Sequence, residues 1–198
     1  TQFAGGIIGN AEADGTINVE TCAVEVAEDI AAITGYAGGL MGSAEADANI
    51  NLFEDAVSAK NIKTTNGYFA GGFVGKSDAG ESVVLNDAVV GVSGSILASK
   101  QYAGGLIGMN DAFDTDILDG IISVNTIQAT DGFAGGEIGM VNSGTVNVGV
   151  DVRRDKDQYE TYIDIEKMAG AYALGGIVGN NVNNSEVIVW TGRNNETA

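Results

Sequence analysis

The residue types that usually carry out chemistry are unevenly represented in this sequence. Of its 198 residues, 27 are Asp or Glu and 9 are Lys or Arg, which gives a net charge of −18, and histidine is absent. The single cysteine, Cys22, lacks both a histidine base for catalysis and the partners that a disulfide or a zinc site needs. Because affinity for a phosphate backbone comes from Lys and Arg, we exclude a nucleic-acid partner.

The acidic residues admit two interpretations. Ten of them lie between Glu12 and Asp55, before the first basic residue, Lys60, and they serve either solubility or the binding of divalent cations. The segment 114–120 (DTDILDG) resembles a calcium loop, but Leu118 and Asp119 stand where such a loop needs a ligand and a glycine. We therefore predict that solubility is their role and that the chain has no metal site and no cofactor.

One basic and aromatic segment interrupts this acidic chain. Residues 153–162 contain three of the nine basic residues and two of the six tyrosines. Arg and Tyr are the residues that protein interfaces favour, and insertions in repeat proteins often lie on a binding face. We predict a loop over residues 150–171 that binds a partner through five side chains, or else a solvated loop without function. The five candidate ligand-binding residues are Arg153, Arg154, Lys156, Tyr159 and Tyr162.

Six glycine-rich phrases invite comparison with phosphate-binding loops. Each follows the order aromatic, Ala, Gly, Gly, any residue, aliphatic, Gly, as in residues 36–42 (YAGGLMG), although the last copy has Leu174 for Ala and its aromatic, Tyr172, one place early. Neither the dinucleotide-binding pattern nor the P-loop pattern is matched, so the paired glycines are predicted to be structural. They are Gly5, Gly6, Gly38, Gly39, Gly71, Gly72, Gly104, Gly105, Gly135, Gly136, Gly175 and Gly176.

The phrases recur at a nearly fixed interval. Between the first glycines of successive pairs the intervals are 33 (Gly5 to Gly38), 33, 33, 31 and, from Gly135 to Gly175, 40, and such a period is typical of repeat architectures. Each phrase is followed by a polar stretch, such as residues 43–47, and then by two runs of alternating aliphatic residues. Period-two alternation predicts strands, about three in each repeat, and the polar stretches are predicted to be turns. Segments 25–33 and 159–171 have weak helical character and are predicted to be loops or short turns.

Stacking explains why the phrase recurs so strictly. In a parallel coil each residue lies roughly 4.8 Å above its counterpart one turn earlier. Phe3, Tyr36, Phe69, Tyr102 and Phe133 would then form an aromatic column, and glycine pairs would allow close backbone approach. Asparagines such as Asn18, Asn51, Asn147, Asn180 and Asn181 would ladder between coils or occupy solvated turns, and we favour turns for most of them.

These features predict an all-β chain, a right-handed parallel β-helix (β-solenoid) of about six coils with a repeat of roughly 33 residues. A single domain spans residues 1–198. Because the sequence begins and ends inside a repeat, we expect it to be a fragment of a longer surface protein, with neighbouring segments of the same polypeptide as contacts. The aliphatic residues of the phrase fill the interior. They are Ile8, Met41, Val74, Ile107, Ile138 and Val178.

The phrase YAGGLMG, with its following Ile-x-Val strand pair, resembles the GLUG repeat of bacterial secreted and cell-surface proteins, including some IgA-cleaving peptidases. The resemblance extends from Phe3 to about Val189, with Glu137 and Leu174 as departures. It implies an extracellular β-solenoid stalk or adhesive segment, and it brings no catalytic residues to this chain.

From the residues and the resemblance together we expect a non-enzymatic structural or adhesive segment at the bacterial cell surface. Its partner would be a host or bacterial surface protein or a glycan, without membrane insertion, since no apolar run approaches the roughly 18 residues of a span. The alternative is a polysaccharide-active β-helix enzyme, a lyase or hydrolase, or its carbohydrate-binding portion. Such an enzyme needs clustered acids and bases, whereas the acidic residues here are spread along the repeats.

Overall fold

The computed structural model describes residues 1–149 and 161–189. All regular secondary structure in these two ranges is β, in twenty-three strands, and every strand pairing is parallel. No segment of the described chain forms a helix that could span a membrane.

The strands form four sheets that run along the array. The first sheet contains β1 (Phe3–Gly5), β5 (Tyr36–Gly38), β9 (Phe69–Gly71), β13 (Tyr102–Gly104), β17 (Phe133–Gly135) and β21 (Ala173–Gly175). The second contains β2 (Ile8–Ala13), β6 (Met41–Ala46), β10 (Val74–Ala79), β14 (Ile107–Asn110), β18 (Ile138–Val141) and β22 (Val178–Asn181). The third contains β3 (Ile17–Glu20), β7 (Asn49–Phe53), β11 (Ser82–Asn86), β15 (Asp114–Ile117), β19 (Thr145–Val148) and β23 (Glu186–Val189). The fourth contains β4 (Ala23–Ala32), β8 (Ala56–Thr64), β12 (Ala88–Ala98), β16 (Gly120–Ala129) and β20 (Thr161–Gly170).

The chain is therefore a parallel β-solenoid, as the repeat predicts. Each coil contributes one strand to each sheet, and Phe3 pairs with Tyr36, which pairs in turn with Phe69. The described residues form five complete coils and three strands of a sixth, slightly fewer than the predicted six. The right-handed sense of the coil stays a prediction.

The prediction of three strands per repeat is wrong, because each complete coil has four. The polar stretches are predicted to be turns, yet 43–46 continues β6: Ala44 and Ala46 face the interior while Glu45 is outside. Small alanines keep the period-two pattern that a search for large aliphatic residues overlooks.

Two segments predicted to be loops or short turns are long strands. Residues 23–32 form β4, with Val24, Ile30 and Ala32 buried, and residues 161–170 form β20. The local preference of Ala and Glu for helix is weak and is overridden by pairing with the neighbouring coil. The predicted loop over 150–171 is accordingly shorter than expected at its C-terminal end.

The paired glycines lie where neighbouring backbones meet. A Cβ on Gly72 would overlap the carbonyl oxygen of Gly105 in the next coil and lie 2.8 Å from the Cγ1 of Val90. Gly71 likewise has the Leu106 carbonyl oxygen 2.7 Å from the site of a Cβ. At every paired glycine except Gly176 a Cβ would come closer than 3 Å to a neighbouring atom, and at Gly176 no described atom lies within 4 Å.

The aromatic column is also confirmed. Successive rings from Phe3 to Phe133 have centroids 4.8 to 5.8 Å apart. Tyr172 continues the column, 5.6 Å from Phe133, even though the backbone partner of Phe133 is Ala173. The aliphatic residues of the phrase, which begin the strands of the second sheet, fill the interior as predicted. Met41, Val74, Ile107 and Ile138 are fully buried, and the terminal Ile8 and Val178 are partly buried.

Candidate functional site

A shallow groove of about 550 Å³ lies on the outer face of the fourth sheet. We call it the lateral groove. It crosses four coils, and its lining combines small, hydroxyl and amide side chains with two charged ones. The polar and charged residues of the lining are Glu25, Ser58, Lys60, Ser93, Ser123 and Asn125, and between them lies Gly91.

The long strands of the fourth sheet place these residues in a straight row. Glu25 of β4 pairs with Ser58 of β8, Ser58 with Gly91 of β12, and Gly91 with Ser123 of β16. We call these four residues the polar row; their spacing along the array is roughly 4.8 Å per coil. Because strand side chains alternate, the flanking Val24, Val57, Val90 and Ile122 point inward and are buried, and the polar row faces outward.

Irregular strand pairing shapes the middle of the groove. β4 and β12 each have one more residue than β8 at the same place, so the register shifts after Val26 and after Val92. The bulged backbone is held by asparagines of neighbouring coils: Ser95 N–H donates to Asn61 Oδ1 at 2.8 Å, and Asn125 Nδ2 donates to the Ser93 carbonyl oxygen at 2.5 Å. Bulges of this kind re-aim side chains and are frequent beside binding sites.

Charged pairs lie along one side of the lateral groove. Lys60 Nζ is 3.1 Å from a carboxylate oxygen of Glu28, and Lys63 forms an ion pair with Asp29. The hydrogen bond to Glu28 raises the pKa of Lys60, and the hydrogen bond from Lys63 lowers the pKa of Asp29. Since the cations are paired with carboxylates, this side of the groove presents little net positive charge.

A second recess, of about 310 Å³, is acidic. Glu12, Glu45 and Asp78 stack in register along the second sheet. Lys76 Nζ lies 2.9 Å from Asp78 and 3.6 Å from Glu45. Burial lowers the pKa of Lys76, but the hydrogen bond and charge of Asp78 and the charge of Glu45 outweigh it and raise the pKa overall. The recess is thus partly neutralised by the protein's own cation.

The residues that sequence patterns suggested for cations do not converge on a site. Asp114 to Ile117 form strand β15 rather than a loop, and the Asp116 carboxylate accepts a hydrogen bond from Asn147 at 2.9 Å. Within residues 1–149 and 161–189, no three acidic or cysteine side chains are grouped to hold a metal ion. Asn51 and Asn18, for which the sequence left open a ladder or a solvated turn, form the ladder: Asn51 Nδ2 donates to Asn18 Oδ1 at 2.8 Å, between β7 and β3.

Two buried carboxyl groups escaped prediction. Glu137 is 1% exposed, neither of its carboxyl oxygens has a hydrogen-bond partner, and burial raises its pKa to about 7. Asp55 accepts a hydrogen bond from the Cys22 N–H at 2.8 Å, while its Oδ2 has no partner. Burial raises the pKa of Asp55 against the opposing effect of that hydrogen bond. Glu137 had a signal in the sequence, as the acidic residue at an otherwise apolar motif position.

Four of the five predicted ligand-binding residues lie outside the described residues: Arg153, Arg154, Lys156 and Tyr159. Tyr162 belongs to β20, where its backbone pairs with Ile121 of β16. The extra length of this repeat falls just before β20, because 149–160 separate β19 from β20 whereas only 118–119 separate β15 from β16.

The lateral groove itself was not predicted from the sequence. The sequence marks the groove only by small residues at outward positions of three successive strands, namely Ser58, Gly91 and Ser123. Such residues are common on any exposed sheet.

No protein family, curated protein or solved structure matches this chain.

Proposed function

We propose that this chain is a non-enzymatic structural and adhesive segment of a secreted or cell-surface bacterial protein. The observation that supports the structural part is the register. Equivalent residues of successive coils lie in columns, and the strands form four sheets, each of parallel strands, along the array. A backbone in which every coil hydrogen-bonds to the next resists local opening, which is the property that a rigid spacer outside the cell requires.

Side-chain columns reinforce the backbone. The aromatic column adds stacked pairs such as Tyr36 on Phe69, whose rings are 4.8 Å apart, and each such pair is worth about 0.5–1.5 kcal/mol. Asparagine and serine side chains also bridge coils, as in the 2.7 Å hydrogen bond from Ser82 Oγ to Asn49 Oδ1. The resemblance to GLUG repeats supports placing this rod on a secreted or surface protein.

The adhesive part of the proposal is supported by the lateral groove. It lies on the side of the rod, spans four coils, and its lining includes exposed hydroxyl side chains such as those of Ser58 and Ser123. A binding surface of this kind exposes its ligand sites along the length of a spacer without interrupting the core.

The structural part is tested by protease digestion of the folded and the denatured chain. We expect the described coils to remain intact under native conditions while the denatured chain is degraded. Cleavage within β5 to β18 of the folded chain, at the rate seen for the denatured chain, would contradict a rigid spacer.

The adhesive part is tested with the intact chain on arrays of immobilised glycans and extracellular-matrix proteins, beside an assay for new reducing ends in soluble polysaccharides. We expect binding without the appearance of reducing ends. Reducing ends that accumulate in proportion to the protein added would instead indicate the enzymatic alternative, and absence of binding to either array would overturn the adhesive proposal.

A further inference from the structure

We propose that the lateral groove binds a linear, uncharged polysaccharide that lies along the solenoid axis with about one sugar residue per coil. This inference names the ligand class and the site of the adhesive function proposed above, and so it rests on that function.

The outer face of the fourth sheet presents a polar row and an apolar row side by side, which suits the polar edges and apolar faces of a sugar chain. Beside the polar row, two residues earlier on each strand, lies an apolar row in the same register: Ala23, Ala56, Val89 and Ile121. Val89 and Ile121 are 39% and 47% exposed, although they are large apolar side chains on a regular sheet. A pyranose ring likewise carries C–H groups on its faces and hydroxyls at its edge, so it can contact both rows at once.

The repeat of the groove matches a polymer rather than a single small molecule. Successive rungs are roughly 4.8 Å apart, a distance similar to the advance of one sugar residue in an extended chain. Ser58 and Ser123 have exposed hydroxyls, and Gly91 between them leaves room for the ligand. A linear polysaccharide along the axis would therefore pass one residue of the polar row on each coil.

The charges of the groove favour a neutral polymer. Among the described lining residues the charged ones are Glu25 and Lys60, and Lys60 is paired with Glu28. On a chain with a net charge of −18, a polyanionic glycan would be repelled and no unpaired cation of the lining would compensate.

An extended peptide fits this surface less well. Peptides that add to a sheet gain affinity from main-chain hydrogen bonds at an open edge. The lateral groove lies on the face of the fourth sheet, where the backbone groups of β8 and β12 are already paired with neighbouring coils on both sides. The exposed hydroxyls of Ser58 and Ser123 remain available there, and hydroxyl groups both donate to and accept from sugar hydroxyls.

Gly91 provides a direct test, because the groove can be filled there without disturbing the fold. The nearest atom to a Cβ at this position is the Val57 carbonyl oxygen, 3.9 Å away. The side chain of Gly91→Gln would thus extend into the groove. Gly15→Gln is the matched control, since Gly15 also has open space around it and lies in a turn outside the groove. Both variants should melt at the wild-type temperature.

The probes are soluble neutral polysaccharides, a β-1,4-glucan, a mannan and a xylan, each cast into native gels that retard a bound protein. For whichever polymer retards the wild type, we expect Gly91→Gln to weaken binding at least tenfold and Gly15→Gln to leave it unchanged. Competition by oligosaccharides of that polymer should strengthen with length up to about four sugars, the number of coils in the polar row.

Equal binding by Gly91→Gln and wild type would overturn the inference. Should Gly91→Gln melt at a lower temperature, Ser123→Gln at an exposed position of the same row gives the second test, with the same tenfold loss expected. Binding to matrix proteins but to none of the three polysaccharides would refute the ligand class and leave the adhesive proposal standing. Failure of the chain to bind either the polysaccharides or the protein array would refute both.

Discussion

Replacing Glu137 with leucine should stabilise this protein, and the gain should grow with pH. The backbone of Glu137 belongs to the ladder, since its carbonyl oxygen accepts the Leu106 N–H at 2.8 Å, but its carboxyl group lies in the interior without a partner. The other five coils have an apolar residue at this motif position. These residues are Ile7, Leu40, Phe73, Leu106 and Ile177.

The magnitude follows from the pKa of the buried carboxyl group. Burial raises the pKa of Glu137 from 4.5 to about 7, which corresponds to about 3 kcal/mol between the two protonation states. The folded state holds the proton of Glu137 more tightly than the unfolded state does. The resulting contribution to the free energy of unfolding is therefore fully present below pH 4.5. It is lost as the pH rises towards 7 and is gone above that value.

Comparison of Glu137→Gln with wild type isolates the effect of ionising the Glu137 carboxyl group, because glutamine has nearly the same shape and no charge at any pH. The assay is urea unfolding of wild type, Glu137→Gln and Glu137→Leu between pH 5 and 8.5, above the pI of about 4.1 at which association is expected. The free energy of unfolding of Glu137→Gln minus that of wild type should rise by about 2–3 kcal/mol over this range. Glu137→Leu should exceed Glu137→Gln by about 1–3 kcal/mol at every pH, because it also removes the unpartnered polar group.

The subtraction matters because the other acidic residues titrate in all three proteins and cancel in the difference. A difference between Glu137→Gln and wild type that stays constant from pH 5 to 8.5 would show that the carboxyl group ionises as it does in water. The reasoning from burial would then be refuted.

Three further perturbations probe the array. Gly72→Val should destabilise the fold by about 3 kcal/mol, because the side chain overlaps the next coil, whereas Gly176→Val, in open space at the last coil, should change the melting temperature little. Lys76→Gln should lower the free energy of unfolding by about 1 kcal/mol at low salt and by less at 1 M salt, since it removes the cation beside Asp78; an effect independent of salt would argue against an ionic role. Deleting residues 153–159 should leave the melting temperature and binding at the lateral groove unchanged, whereas loss of polysaccharide binding from this deletion would place the ligand site in that segment instead.

Much of the fold could be predicted from one short phrase. A glycine pair that recurs at a fixed interval, with an aromatic residue before it, determines which residues stack, and the aromatic column and buried aliphatic residues follow. The number of strands per coil did not follow, because β6 and its equivalents alternate in alanine and serine rather than in large aliphatic residues. The greater part of β4 and the strand β20 were missed for a related reason: their stability comes from pairing with the neighbouring coil, which a local pattern does not contain.

The candidate site was harder to predict, because the features that define it are distributed over four coils. Ser58, Gly91 and Ser123 belong to three different coils, and none is unusual in its own segment. The register brings them into one row, and the shifts after Val26 and Val92 shape the groove beside it. Neither the register of the fourth sheet nor its bulges can be derived from composition or charge.

Glu137 and Gly91 illustrate how a solenoid separates stability from binding. Glu137 replaces an inward apolar residue, so its carboxyl group is desolvated and the departure from the motif costs stability. Gly91 lies at an outward position with open space around it, so a change there alters the surface and leaves the stacking of coils intact. Outward positions of the long fourth-sheet strands are therefore free to vary for ligand contact while the glycine phrase maintains the rod. If Gly91→Gln leaves the melting temperature unchanged and Glu137→Leu raises it, this division between inward and outward positions of the coil is supported; a large loss of stability from Gly91→Gln would contradict it.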